Sequence, residues 1–412
     1  MGFWNMRTGG AQLPEPSRGW THGYDEFMVK TPEYTARKIP HLLNRDVTIH
    51  SFRTTKSLAN TVPTVHDLWG IDSYASLDET PAPGDNDDWS SYDEFLTTLF
   101  GLLQSDGAID GLYWDIWNEP DNGLYLNRGL DRYLAVWGHT YHRINAEFPS
   151  PKTIGPSFGH LPNFGAADWW SGWTTFIAAN ASIPTQFSMH FLEASGSLAA
   201  SIDAFQSYLS AAGIAPYGGP WNVNEYGNID QQVPSTAARS IAQLEHHDAV
   251  GLRANWRGGL ELHDYMANLL GKPHTYPDHI PDEAVYWPAR EYPVYEYYFL
   301  NMTGERVRTE MTEDTQGDSY AVVDGDRVRI LAGCRPVNGT WAIELRALSA
   351  LGLPSEGELA IQTRKFVSGG LYEEIDASVD LGYYTHSYTD DTLVFIIGQE
   401  TPETAYTFEF DV

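Results

Sequence analysis

From about residue 60 to 304, short apolar runs alternate with longer amphipathic ones, the rhythm of βα units around a parallel sheet. Thr61–His66 reads as a strand. Ser91-Tyr92-Asp93-Glu94 is a capping box that opens a helix running through Leu103, with Gly107 placed to stop it. Further strands are predicted at Gly111–Asn118, Lys152–Ser157, Gln186–Phe191, Trp221–Tyr226 and Gly251–Trp256. Helical patterns fall between them at Leu130–Phe148, Trp170–Ala179, Ala199–Ala212 and Ser235–Ala249, and an aromatic-rich helix at Tyr292–Met302 follows the last strand.

After Gly304 the period changes to two. Arg306–Thr312, Ser319–Val323, Arg327–Ala332, Trp341–Arg346, Glu358–Thr363, Thr392–Ile397 and Ala405–Phe410 are short alternating runs between turn clusters, with Asp324-Gly325 as a hairpin signal. The pattern predicts two domains, an α/β (β/α)8 barrel over 1–304 and an antiparallel β-sandwich over 305–412, packed together without a long Pro/Ser linker. The barrel count is one strand short. Six strands are clear and Phe3–Thr8 adds a seventh. Val47–Phe52 stands only about ten residues from the next strand, too close for a crossover helix. Either the first βα unit is absent or residues 34–60 are irregular, and an open barrel would expose unpaired strand edges.

Charge narrows the function classes. Lys+Arg number 25 against 55 Asp+Glu, a formal net charge of −30, which excludes the basic footprint needed for nucleic acid or anionic lipid. With 42% hydrophobic and 19% charged residues the chain is not a disordered acidic tail. Its one cysteine, Cys334, excludes an intrachain disulfide framework and reads as a small apolar residue in a strand. No apolar run reaches membrane-spanning length. Met1–Arg7 lacks the apolar stretch of a signal peptide, while sequons at Asn180, Asn301 and Asn338 suit a secreted, extracellular protein. There is no HExxH, calcium-type acidic loop or Gly-rich phosphate cradle, so no metal and no cofactor is implied, and nothing specifies an oligomeric state.

The strongest chemical signal is Tyr113-Trp114-Asp115-Ile116-Trp117-Asn118-Glu119-Pro120, a strand ending in Asn-Glu-Pro at the mouth where (β/α)8 enzymes build their sites. The second, 106 residues later from Glu119 to Glu225, is Trp221-Asn222-Val223-Asn224-Glu225-Tyr226-Gly227. Two glutamates approaching across a barrel at roughly 5–5.5 Å form the pair of a retaining glycosidase, one protonating the leaving oxygen and one attacking the anomeric carbon.

These two motifs resemble the clan A glycoside hydrolases. Gly9-Gly10-Ala11-Gln12, His66-Asp67-Leu68-Trp69-Gly70 and Gly251-Leu252-Arg253-Ala254-Asn255-Trp256, with the appended sandwich, resemble fungal family 39-like proteins. The resemblance implies Glu119 as acid/base, Glu225 as nucleophile, and Asn118 bonding the sugar 2-OH. It further implies Arg7 orienting the nucleophile, Trp256 as an aromatic floor and His190 as a substrate-binding histidine. Tyr226, His66, Asp67 and Trp69 complete the expected substrate-binding set. His160, His263 and Asp264 sit beside strand ends, Asp115 belongs to a polar layer inside the barrel, and His246-His247 face solvent from a helix. The implied partner is an oligo- or polysaccharide with an equatorial bond, of β-xyloside, β-glucoside or α-L-arabinofuranoside type. Transglycosylation with the same residues and a catalytically silent carbohydrate-binding barrel are the alternatives.

Overall fold

The computed structural model describes residues 5–8, 60–63, 81–105, 109, 111–192, 195–256, 265–273, 285–375 and 377–412. Val47–Phe52, and with it most of the 34–60 segment, lies outside the described residues.

Five parallel strands form one sheet in chain order: β3 (Tyr113–Asp115), β4 (Lys152–Pro156), β5 (Gln186–Phe191), β6 (Trp221–Tyr226) and β7 (Ala249–Arg253). A second parallel pair, β1 (Asn5–Thr8) and β2 (Asn60–Pro63), has Arg7 in register with Val62. Cα atoms of β2 come within 8 Å of β3, and those of β1 within 8 Å of β7, so the pair lies along both edges of the larger sheet. Helices α1 (Ser90–Ser105), α2 (Leu130–Glu147), α3 (Ala167–Ala179), α4 (Leu198–Ala211) and α5 (Pro234–His246) alternate with the strands, and α6 (Tyr292–Asn301) follows β7. Strands and helices together make up part of a (β/α) barrel.

The helices form where apolar positions recur at helical spacing. In α2 the buried Tyr133, Val136, Trp137, Thr140 and Ile144 form one stripe facing the sheet. The stripe meets a core of interlocked aromatic rings: Trp137 stands edge-on to Trp173 at 5.1 Å, and Phe158 edge-on to Trp170 at 4.8 Å. Each such pair adds about 0.5–1.5 kcal/mol beyond the burial of its area. The Trp137 ring lies so close over β4 at Gly155 that any Cβ there would overlap it, which explains a glycine in mid-strand.

Beyond α6 the chain is antiparallel. β10 (Glu305–Val307), β11 (Gly317–Asp324), β12 (Arg327–Cys334), β17 (Ala405–Asp411), β14 (Gly357–Phe366) and β15 (Val379–Tyr388) form a six-stranded sheet in the order β10-β11-β12-β17-β14-β15. β13 (Thr340–Arg346) pairs with β16 (Thr392–Gly398), and both sheets contribute to one core that includes Ile330, Ile361, Leu393, Phe395 and Phe408. β8 (Leu270–Gly271) and β9 (Trp287–Pro288) form a small separate pair. β15 has no counterpart among the predicted strands. Its residues Val379–Ser387 are intermediate or exposed, and its pairing with β14 shifts at Thr363/Arg364, so neither face carries a simple apolar alternation.

The antiparallel unit packs on α5, whose first ten residues are all buried. Ser235 Oγ donates to the Cys334 carbonyl at 2.8 Å, and Arg239 donates to the Thr315 carbonyl at 2.8 Å. Arg335 reaches the Gly196 carbonyl at 2.7 Å. This packing corrects the expectation for His246. Rather than facing solvent, it is largely buried against Thr309 at 2.5 Å, because the helix face that carries it is covered by the antiparallel sheet. Cys334 is buried in β12, as its sequence context predicts. Among the described residues no helix is long and apolar enough to cross a membrane.

Candidate active site

The ends of β3, β5 and β6 bring three side chains to one point. His190 on β5 is fully buried, and its Nδ1 lies 2.8 Å from Glu119 Oε1 and 2.9 Å from Glu225 Oε2. The three donor atoms all lie within 4.8 Å of one another. With both glutamates ionised each can only accept, and the Nδ1–H then donates to both. Burial by itself would lower the His190 pKa, but the Glu225 and Glu119 carboxylates outweigh it and push it up to about 9. The trio has the donor set, one imidazole nitrogen and two carboxylate oxygens, and the convergence of a divalent-cation site.

How two sequence-distant glutamates come to face one histidine follows from two backbone irregularities. β3 leaves the ladder at Asp115, earlier than its apolar pattern predicts, and the chain turns through Asn-Glu-Pro with Glu119 in the left-handed region at φ 39°. The Glu119 N–H donates to the Ser157 carbonyl at 3.0 Å, which anchors the turn on the exit of β4. A non-glycine residue held at positive φ is strained and persists only where its surroundings fix it, as at functional sites. The second irregularity is in β6. Val223 pairs with Met189, yet Glu225 pairs with His190, so β6 carries one extra residue relative to β5; its pairing with β7 shifts over the same stretch. This bulge lets the consecutive residues Asn224 and Glu225 both face the interior.

Below the trio lies a buried polar layer. Asp115 accepts from Ser157 Oγ at 2.7 Å and from Asn224 Nδ2 at 2.9 Å, and Ser157 Oγ lies 2.9 Å from Ser188 Oγ. Asp115 therefore belongs to the interior layer, in agreement with its expected place. Above it, the buried Asp121 carboxylate accepts from the backbone N–H groups of Gly159 at 2.8 Å and His160 at 2.9 Å, and bonds His160 Nδ1 at 2.9 Å. That loop rests on Glu119: a Cβ at Gly159 would come within 2.9 Å of its carboxyl carbon. Asn122 Nδ2 donates to Glu119 Oε2 at 3.3 Å.

The structure thus brings Glu119, Glu225 and His190 together, with Asn118 buried in the same turn. Trp256, 40% exposed beyond β7, donates from Nε1 to the Gly227 carbonyl at 3.0 Å, two residues past Glu225 on the same rim. Tyr226 is a correction. It faces away from the mouth, buried with its hydroxyl 2.9 Å from that of Tyr295, because neighbouring strand residues point to opposite faces once the bulge has ended. For Arg7 the structure describes the backbone strand, and His66, Asp67, Trp69, His263 and Asp264 lie outside the described residues. Asp121, Asn122, Ser157 and Ser188 were missed, although Asp121 and Asn122 directly follow the Asn-Glu-Pro motif and polar residues on barrel strands invite such a layer.

The shared proton makes stability depend on pH. A pKa raised from 6.5 to about 9 means that the stabilisation from charged His190 is complete below pH 6.5 and lost as pH rises through about 9. The wild-type melting temperature is therefore expected to fall across that window, and His190→Gln to fall less over the same window. Parallel melting curves for the two proteins would refute the shared-proton description.

Comparison with known proteins places the fold. No protein-family model and no curated protein sequence matches the chain. Among solved structures it is similar to N2152 from Neocallimastix frontalis, at 18% identity and a TM-score of 0.66, over 88% of this chain and 84% of that one. A glucosidase from Croceicoccus marinus matches at 12% identity and a TM-score of 0.54, over 90% and 82% of the two chains. A GH30 endoxylanase from Clostridium papyrosolvens C71 matches at 13% identity and a TM-score of 0.51, over 100% and 90%. At these identities the likeness is one of fold, shared with glycoside hydrolase structures.

Proposed function

We propose that the chain is a retaining glycoside hydrolase working by double displacement, with Glu225 as nucleophile and Glu119 as acid and then base. The observation that carries this reading is the distance between the two carboxylates, whose nearest oxygens lie within 4.8 Å. Retaining pairs stand at roughly 5–5.5 Å, whereas an inverting pair must leave roughly 6.5–9.5 Å for a water between them. His190 holds the two groups in register on the reacting side, and Trp256 offers an indole face at the rim on which a pyranose can stack.

The substrate is a neutral oligo- or polysaccharide with an equatorial glycosidic bond, of β-xyloside, β-glucoside or α-L-arabinofuranoside type. A net charge of −30 suits a neutral sugar and disfavours an anionic one. Glucosidase and endoxylanase neighbours in fold agree with this class. The barrel serves as the catalytic unit, residues 1–304, and the antiparallel unit, 305–412, as its support.

The test is a panel of aryl glycosides followed by proton NMR of the first-formed sugar. Hydrolysis with the starting anomeric configuration retained is the expected result. Inversion would overturn the double-displacement mechanism, and binding without turnover on every substrate would favour a silent carbohydrate-binding barrel.

A further inference from the structure

A buried polar chain links the antiparallel unit to the rim of the candidate site. It begins at Tyr372, in the connection between β14 and β15. The Tyr372 hydroxyl donates to Asn268 Oδ1 at 2.8 Å, and Asn268 Nδ2 donates to Gln232 Oε1 at 2.7 Å. Gln232 Nε2 then donates to the Ala254 carbonyl at 2.9 Å and to the Gly227 carbonyl at 3.1 Å. Asn268 and Gln232 are both buried. One amide thus staples the exit of β6, two residues past Glu225, to the exit of β7, two residues before Trp256. The Gly227 carbonyl is also the acceptor for Trp256 Nε1.

Two independent features show that this connection is held in place. Met266, Ala267 and Asn268 are consecutive non-glycine residues in the left-handed region, at φ 50°, 53° and 64°. Each conformation is unfavourable for an L residue and is maintained only by its surroundings. The surroundings are Arg253 Nε donating to the Ala267 carbonyl at 2.7 Å, and the Tyr372 ring against Tyr265 at 4.5 Å. The Tyr372 segment is itself pinned to the barrel side, through Trp287 Nε1 donating to the Tyr372 carbonyl at 2.8 Å and Ile375 N–H donating to the Pro288 carbonyl at 3.0 Å.

We propose that Tyr372 is a positioning residue for the sugar site, acting through Asn268 and Gln232 on the Gly227 carbonyl that orients Trp256. The antiparallel unit then sets the tilt of the stacking indole rather than only stabilising the barrel. This inference rests on the glycosidase reading of Glu225 and Trp256 for its kinetic consequence, but not for the coupling itself.

The experiment uses the full chain carrying Tyr372→Phe, which removes the hydroxyl and keeps the ring on Tyr265. Tyr297→Phe serves as a control, because it also removes a buried hydroxyl, one bonded to Glu409 Oε1 at 3.0 Å on β17 rather than to Asn268 or Gln232. Hydrogen exchange by mass spectrometry is expected to speed up in peptides spanning 226–232 and 254–256 in Tyr372→Phe and to stay unchanged there in Tyr297→Phe. On an aryl glycoside that the wild type hydrolyses, KM is expected to rise about tenfold in Tyr372→Phe, since one buried acceptor loses its donor. Loss of folded enzyme alone would leave KM unmoved. Exchange confined to residues near 372, or equal changes in both variants, would overturn the proposal. A wild type that hydrolyses no glycoside would remove the functional reading, and the exchange result would still decide the coupling.

Discussion

Glu225→Ala is expected to lose hydrolysis of aryl glycosides by at least about a thousandfold, because no covalent glycosyl-enzyme can form without the attacking carboxylate. The loss should be recoverable. Truncation to a methyl group opens space beside His190, and azide is small enough to occupy it. Azide then attacks the anomeric carbon from the face that the carboxylate used, while Glu119 still protonates the leaving oxygen. The product is a glycosyl azide of inverted configuration, measurable by NMR alongside the rate. His190 would keep its 2.8 Å bond to Glu119, so the fold at the site has a remaining anchor. Unchanged hydrolysis in this variant would remove Glu225 from the nucleophile role, whatever the substrate.

Replacing Glu119 with Ala is expected to give a loss that depends on the leaving group. General acid catalysis is worth about a hundred- to ten-thousandfold. The larger figure applies to glycosides with sugar or alkyl leaving groups, which need a proton, and the smaller one to dinitrophenyl glycosides, which do not. With such activated substrates the glycosyl-enzyme on Glu225 should form and accumulate, since no base remains to activate water. Azide attacks that intermediate without needing a base, so the azide product keeps the starting configuration, opposite to the result for Glu225→Ala. An equal loss on all leaving groups, or an inverted azide, would exchange or cancel the two assignments.

Much of this architecture is legible along the chain, and the exceptions have physical causes. β5 and β6 lie where their patterns predict them, at Gln186–Phe191 and Trp221–Tyr226, because Phe187, Met189, Phe191, Trp221 and Val223 alternate with polar residues, the apolar side chains joining the helix-packed core and Ser188, His190 and Asn224 turning to the interior. β3 is shorter than its run, since Ile116 and Trp117 are buried by the core without pairing in the ladder. β15 was not legible because tyrosines 383 and 384 are adjacent and both exposed, which breaks alternation. His246 was misplaced for a related reason. A helix read alone has one solvent face, and only the antiparallel sheet from residues far along the chain covers that face of α5.

The candidate site divides in the same way. Asn-Glu-Pro and Asn-Glu-Tyr at strand ends are local facts, and local facts suffice to single out Glu119 and Glu225, whereas His190 entered only through the resemblance to a family. Periodicity reports which face of an element is apolar, because burial acts residue by residue. It carries no information on the extra residue in β6 that turns Glu225 inward and Tyr226 outward, nor on a single imidazole proton shared by two carboxylates. It is equally silent on a tyrosine at position 372 that braces a loop at 227. Register, shared protons and long-range braces arise only when distant segments pack, so they were decided by the tertiary structure. The chemistry available to the molecule was already in the order of its residues.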